Sequence, residues 1–310
     1  MNQALPLTTA ELLSTVDHTR PTRLDSIDFE YRGVRVHAYG TLHALTGGTN
    51  RAYVKLVNNT VAIAPGLKLG EKGMRAIYNG LDCELDDWLQ MPVKDAFRFP
   101  LNMLLTPLRI ALLAKTVVKE CLTKEDRFGA GGIRRLQDIG GAAEFHLLSP
   151  IERRKLIGLP PPRQYLEENL LRRRGKGRLA PARIPDPDWY WLPLIEPYIN
   201  ATCRSIHMLE FSVELAKLRG VAEVSLFTGE IHNSDMGWYQ ANAVTLEDAP
   251  EWIVKDVEEI RRLAREHAHL VAAGKLNPRK LAYASAMLAG LAIPVFGYAF
   301  ALRWAFSTWL

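Results

Sequence analysis

The stretch FEYRGVRVHAYGTLH, Phe29–His43, decides how this chain begins to fold. Val34, Val36 and Ala38 alternate with polar neighbours, the period of a half-buried strand. Arg32-Gly33 interrupts the pattern with a tight-turn pair, so the stretch predicts a strand, a turn and a second strand. It closes on Gly40-Thr41-Leu42-His43. A glycine in the last turn of a strand permits close backbone approach. A histidine just beyond it can ligate a metal, exchange a proton near neutrality or serve as a plain hydrogen-bonding group.

Downstream, Gly47-Gly48 turns the chain, and Thr49 is placed to cap a short helix through Asn58. TVAIAPG, Thr60–Gly66, is an apolar run of strand length closed by Pro-Gly. Strand, helix and strand in this order predict a βαβ unit. Leu69 to Leu89 reads as helical in part and carries the acids Asp82, Glu84, Asp86 and Asp87. Residues 92–122 are apolar but broken by Pro100, Pro107 and Arg109. The uninterrupted stretch is too short to span a bilayer and predicts a core or membrane-surface region.

The region from 128 to 188 is Gly-, Pro- and Arg-rich and reads as an irregular basic insertion. Between Arg153 and Arg183 basic residues far outnumber Glu152, Glu167 and Glu168. Such a patch suits an anionic lipid surface, or is a solvated loop; beside a membrane anchor, lipid is favoured over nucleic acid. Order returns with one helix over Pro193–Arg219, ended by Gly220. VAEVSLFTGEIH, Val221–His232, follows as a strand with a second Gly-x-x-His phrase, Gly229-Glu230-Ile231-His232. Trp252 to Ala273 predicts a charged helix laced with Glu–Arg pairs.

From Leu281 to Leu302 the chain reads LAYASAMLAGLAIPVFGYAFAL, 22 positions without a charge. A helix of that length is roughly 33 Å long, enough to cross a hydrocarbon core. Lys275, Arg279 and Lys280 precede it, and Trp304 and Trp309 suit an interfacial belt. The expectation is a tail anchor over 281–304 on a domain spanning 1–274. That domain is expected to face the cytoplasm, because positive charge lies ahead of the span and the first residues lack a signal-peptide pattern. Ala286 and Gly290 form a small-xxx-small pair suited to helix pairing, including homo-oligomers. Three scattered cysteines fit reduced thiols. The net charge is +5 and the apolar content is ordinary, so the fold class predicted is a mixed α/β sheet with flanking helices plus one transmembrane helix.

The order of these parts resembles the TraB/TIKI family, related to GumN-like proteins. In that family a Gly-x-x-His follows the opening hairpin. A helix with an Arg-Asp-x-x-Met pattern precedes a second strand ending in Gly-x-x-His. Here the helix phrase is Arg204-Ser205-Ile206-His207-Met208, so the arginine and methionine match and the aspartate does not. The likeness covers about residues 29–66 and 195–240. The family also places a glutamate at the end of the second strand. In the strand read here as Val61–Gly66, Ala64 or Pro65 stands in its place, and Glu71 and Glu84 are the nearest substitutes.

What the resemblance implies is a divalent-metal hydrolase acting on peptides or proteins. His43 and His232 would ligate Mn²⁺, Co²⁺ or Zn²⁺, and Gly40 and Gly229 would complete the two motifs. Arg204 would hold a substrate carboxylate or a developing oxyanion, or else pair with a core acid. Glu230 and Glu84 are the candidate bases. The alternative is a non-enzymatic membrane protein that binds or sequesters a peptide or partner protein.

Overall fold

The structure, a computed structural model, describes residues 24–41, 51–97, 100, 162–174, 201–242 and 245–309. It is a mixed α/β fold with helices on both faces of a five-stranded sheet, followed by one long C-terminal helix. Strands β1 (Asp25–Tyr31) and β2 (Val34–Thr41) form the expected antiparallel hairpin. Its turn is Arg32-Gly33, with φ of 52° and 77°. These values suit the two-residue hairpin turn whose twist matches the strands. The inward residues are Val34, Val36 and Ala38, as the alternation requires.

Helix α1 (Arg51–Ile63) leads to β3 (Leu67–Glu71). The strand predicted over Thr60–Gly66 is therefore corrected. Tyr53, Val57, Val61 and Ala64 recur at helical spacing and are buried together against the sheet, with Phe227. Val61 belongs to that stripe and not to a strand. Pro65-Gly66 breaks the helix, and the strand starts only afterwards. Gly66 has φ +67°, and a Cβ there would lie 2.1 Å from the Glu223 carbonyl oxygen. Only glycine fits so tight an entry. Residues Leu69–Leu89, read as partly helical, form the end of β3, the short strand β4 (Cys83–Leu85) and two 3₁₀ turns, Met74–Ala76 and Asp87–Gln90.

After helix α2 (Pro162–Arg173) comes α3 (Ala201–Leu218), which is buried on nearly every side and ends before Gly220, φ +67°. Strand β5 (Glu223–Gly229) is shorter than expected. Helix α4 (Glu230–Asn242) begins at once, so His232 stands in the first turn of a helix and not on a strand. Helix α5 (Glu251–Ala272) carries Ile253, Val257, Ile260 and Ala264 inward. The sheet order is β1-β2-β5-β3-β4; β1 is antiparallel and the other four are parallel. Strand β5 lies between β2 and β3, so the predicted βαβ unit is split by a later strand. The main core joins one sheet face to α3, α4 and α5. The other face carries α1.

Helix α6 (Pro278–Trp309) is long and apolar enough to cross a membrane. Only 17% of its most apolar window is buried, unlike a core helix of a soluble protein. Its first turns nonetheless grip the domain. Tyr283 donates its hydroxyl proton to the Met91 carbonyl, and Lys280 pairs with Asp86. Tyr283 joins Leu89, Met91 and Ala96 in a small cluster, with Ala286 against it. A Cβ on Gly290 would lie 2.2 Å from the Phe97 carbonyl oxygen. The small-xxx-small face is thus used within the chain, Gly290 against Phe97 and Pro100 and Ala286 against the Ala96 cluster. Cys83 and Cys203 are free thiols. Cys121 and the bulk of the 128–188 insertion lie outside the described residues.

Candidate functional site

The parallel strands β2, β5 and β3 end at one level. Thr41 is opposite Gly229, Gly40 opposite Thr228, and Gly70 opposite Phe227. The two Gly-x-x-His phrases therefore leave neighbouring strands side by side. Glu71, the last residue of β3, ends beside them. In an open α/β sheet the carboxyl ends of the strands are where ligands bind.

Arg204, on the first turns of α3, is the centre of the site and is 6% exposed. Its side chain donates to Glu71 through one terminal nitrogen and to Asp87 through Nε. The Trp88 ring lies 5.7 Å from its guanidinium carbon. Asp87 opens the second 3₁₀ turn and is fully buried. Burial is the largest influence on its carboxyl, with the Glu71 charge adding to it. Together they outweigh Arg204 and push the pKa up to about 6. Asp87 Oδ1 has no hydrogen-bond partner among the described residues. Glu71 Oε2 accepts the Gly229 backbone N–H at 3.1 Å, at the start of α4 where a carboxylate complements the helix end.

His232 is 2% exposed. Its Nδ1 lies 2.8 Å from Ser205 Oγ, and Ser205 Oγ lies 2.7 Å from the Ala201 carbonyl oxygen. The other ring nitrogen, Nε2, lies 3.9 Å from Glu71 Oε1. Asp235 Oδ2 stands 3.4 Å from Ser205 Oγ, one helical turn beyond His232.

The sequence candidates divide accordingly. His232, Arg204 and Gly229 meet at one place, and Gly40 lies level with them. Glu71 fills the strand-end position that the misplaced strand had left to Ala64 or Pro65. Glu84 does not join them. It pairs in register with Gly70, whose missing side chain would point at Leu81 and Met74 on the α1 face. Arg204 and Glu71 meet on the opposite face. Glu230 is the first residue of α4; its side chain, like the whole of His43, lies outside the described residues. Asp87, Ser205 and Asp235 were not singled out. Only the acidity of the 82–87 stretch hinted at Asp87.

Beside this site lies a second buried polar group. His207 on α3 and His267 on α5 have ring centroids 6.0 Å apart, and neither has a hydrogen-bond partner among the described residues. Burial is the main reason both stay neutral. It holds His267 at about 4 and His207 well below the ordinary imidazole value.

Among the described residues no group of three or more His, Cys, Asp and Glu side chains is placed to hold a metal ion. The site's described part offers two donors that face each other, His232 Nε2 and Glu71 Oε1. One imidazole and one carboxylate are a donor set suited to Mn²⁺, Co²⁺ or Zn²⁺. No family model matches the sequence, and no curated protein or solved structure is significantly similar to it.

Proposed function

We propose that this chain is a membrane-anchored hydrolase of the TraB/TIKI type, acting with a divalent metal on peptides or proteins. The observation that carries the reading is the meeting of Glu71, Arg204 and His232 at the carboxyl ends of β3 and β5. Glu71 ends β3 beside Arg204 and His232, which favours an enzyme over a non-enzymatic binding protein.

His232, Glu71 and, from its place after β2, His43 would hold the metal. When bound, a divalent ion lowers the pKa of water and polarises a carbonyl. The chain's own residues supply the rest. Ser205, 2.8 Å from His232 Nδ1, would orient the ring as the outer partner of a ligating histidine does. Arg204 keeps Glu71 in place and offers positive charge where a carbonyl oxygen becomes negative. Asp87, titrating near 6, is suited to take a proton from an attacking water and return it to the leaving amine. Burial of Glu71, Asp87, Arg204, Ser205 and His232 excludes bulk water and strengthens each of these interactions.

The α6 helix would span the membrane, with Lys275, Arg279 and Lys280 on the cytoplasmic side and the bulk of the chain facing the cytoplasm. The basic 153–183 segment would then lie against anionic lipid. The test is hydrolysis of a mixed peptide library by the full chain in lipid nanodiscs with Mn²⁺, Co²⁺ or Zn²⁺. Cleavage that E71Q and H232A both abolish while remaining folded supports the enzyme. Stoichiometric peptide binding without cleavage sinks it in favour of the binding protein.

A further inference from the structure

Two arginines from different helices grip one short piece of chain at the foot of α6. Arg173, the last residue of α2, donates to Gln90 Oε1 at 3.0 Å. Arg279, near the start of α6, donates to the Leu89 and Met91 carbonyls, each at 3.1 Å. Residues 89, 90 and 91 are consecutive, so the two arginines hold one short stretch of chain. Every one of these acceptors is a neutral oxygen. Neither arginine forms an ion pair among the described residues, and both are half-buried.

Among the described residues the acids nearby have other partners or bear on other groups: Asp86 pairs with Lys280, Lys72 and His267, and Asp95 acts on Tyr283. Glu259 on α5 accepts from Arg262, and that bond is the main reason its carboxyl sits below the usual range. The charges of Arg173 and Arg279 both reach Glu259, and both reach His207, so they bear on one spot between α2, α5 and α6. A guanidinium has five N–H donors; these bonds use one on Arg173 and two on Arg279, and Arg279 also meets the Tyr283 hydroxyl and lies 5.9 Å from the centre of its ring. Guanidiniums with donors to spare suit phosphate oxygens. Arg279 also lies two residues ahead of Leu281, where the uncharged run begins. In a membrane that is the depth of lipid phosphates.

We propose that Arg173 and Arg279 form a binding site for the phosphate of an anionic phospholipid, which ties the α2 end, the 3₁₀ turn bearing Asp87 and the membrane helix together. The site rests on the membrane reading of α6 but not on hydrolysis, so it stands or falls apart from the enzymatic proposal.

The test uses the full chain in nanodiscs of phosphatidylcholine with a minor share of phosphatidylglycerol, followed by gentle extraction and native mass spectrometry of retained lipid. Wild type is expected to keep phosphatidylglycerol selectively. R173Q/R279Q should lower that retention roughly thirtyfold, the effect of two basic charges at an anionic surface. R173K/R279K, which keeps the charge without the guanidinium geometry, should fall between wild type and R173Q/R279Q. R265Q, on the exposed side of α5, should change nothing. Equal retention by wild type and R173Q/R279Q would overturn the site. So would an equal loss in R265Q, which would mean a diffuse basic surface. Thermal stabilisation by inorganic phosphate alone, matching that by phosphatidylglycerol, would assign the fork to a soluble phosphate and also overturn the lipid.

Discussion

Helix α3 carries two buried charged clusters, and they are built on opposite rules. Near the amino ends of the parallel strands, Glu210 is a single carboxylate surrounded by donors. Tyr31 and Tyr239 donate to it at 2.6 and 3.0 Å, Arg32 at 2.7 Å, and Arg261 stands 3.4 Å away. Near the carboxyl ends, Glu71 and Asp87 share one arginine, Asp87 Oδ1 has no partner among the described residues, and the His232 ring faces Glu71. In the first cluster two tyrosines and two arginines converge on one carboxylate, with Glu214 and Glu258 as the arginines' outer partners. In the second, among the described residues, two carboxylates converge on one arginine, and one of them has a raised pKa. Donors converging on one acid make a joint that holds β1, α3, α4 and α5 together. Paired buried carboxylates, one with a raised pKa, are the arrangement expected at a functional site.

The sharpest way to break this comparison is to remove each acid. Glu210→Ala leaves two tyrosine hydroxyls and Arg261 facing an empty buried position. It should cost about 4 kcal/mol in chemical unfolding of the full chain. A loss below about 1 kcal/mol would show that the Glu210 cluster is no joint at all.

Asp87 should behave in the opposite way. Its carboxyl pKa is raised in the folded state, so the folded chain binds more protons than the unfolded chain between about pH 4 and 6. Stability therefore falls as pH rises through that window and levels off above it. The two-unit shift corresponds to about 3 kcal/mol. The difference between wild-type and D87N unfolding curves isolates this contribution. D87N should be the more stable above pH 6 and should lose the acid limb of any activity. A difference curve flat with pH, or a D87N chain that unfolds as readily as E210A, contradicts the contrast.

Smaller effects sharpen it. Replacing His207 and His267 together by Leu removes two buried imidazoles that make no hydrogen bond among the described residues, with His267 3.9 Å from Asp86, and should raise stability by about 1 kcal/mol. A loss instead would mean that ordered water or an ion satisfies them. Tyr283→Phe removes one hydrogen bond to Met91, beside the turn that positions Asp87. It should cost about 1 kcal/mol and shift the Asp87 titration, while leaving Glu210 untouched. An unchanged titration would show that α6 does not help to set the site.

The parts legible in sequence are those set by short-range pattern. The hairpin announced itself by alternation and an Arg-Gly turn. Helix α5 did so by its Glu–Arg charge pattern, and α6 by length without charge. What failed was a short apolar run, Thr60–Ile63, that suits either a strand or the end of a helix. Only the packing of Val61 beside Tyr53 and Val57 decides it. That slip moved the β3 strand and hid the role of Glu71. Likewise Gly229 to His232 reads as continuous strand, yet Glu230 starts a helix because the sheet ends there. The insertion of β5 between β2 and β3 is a pairing across more than 150 residues, and no local pattern encodes it. The site was half legible for the same reason. His232, Arg204 and the glycines sit in recurring phrases, whereas Asp87 owes its place to the fold of a 3₁₀ turn.

The most direct test of the central claim, that the Glu71–Arg204–His232 cluster is a metal-dependent centre and the Glu210 cluster a structural joint, is elemental mass spectrometry. The full chain in nanodiscs would be equilibrated with Mn²⁺, Co²⁺ or Zn²⁺ and freed of excess ion. The account predicts roughly one ion per wild-type chain, lost in folded E71Q and H232A. A folded wild type that holds none, or E71Q and H232A chains that hold as much as wild type, would contradict it.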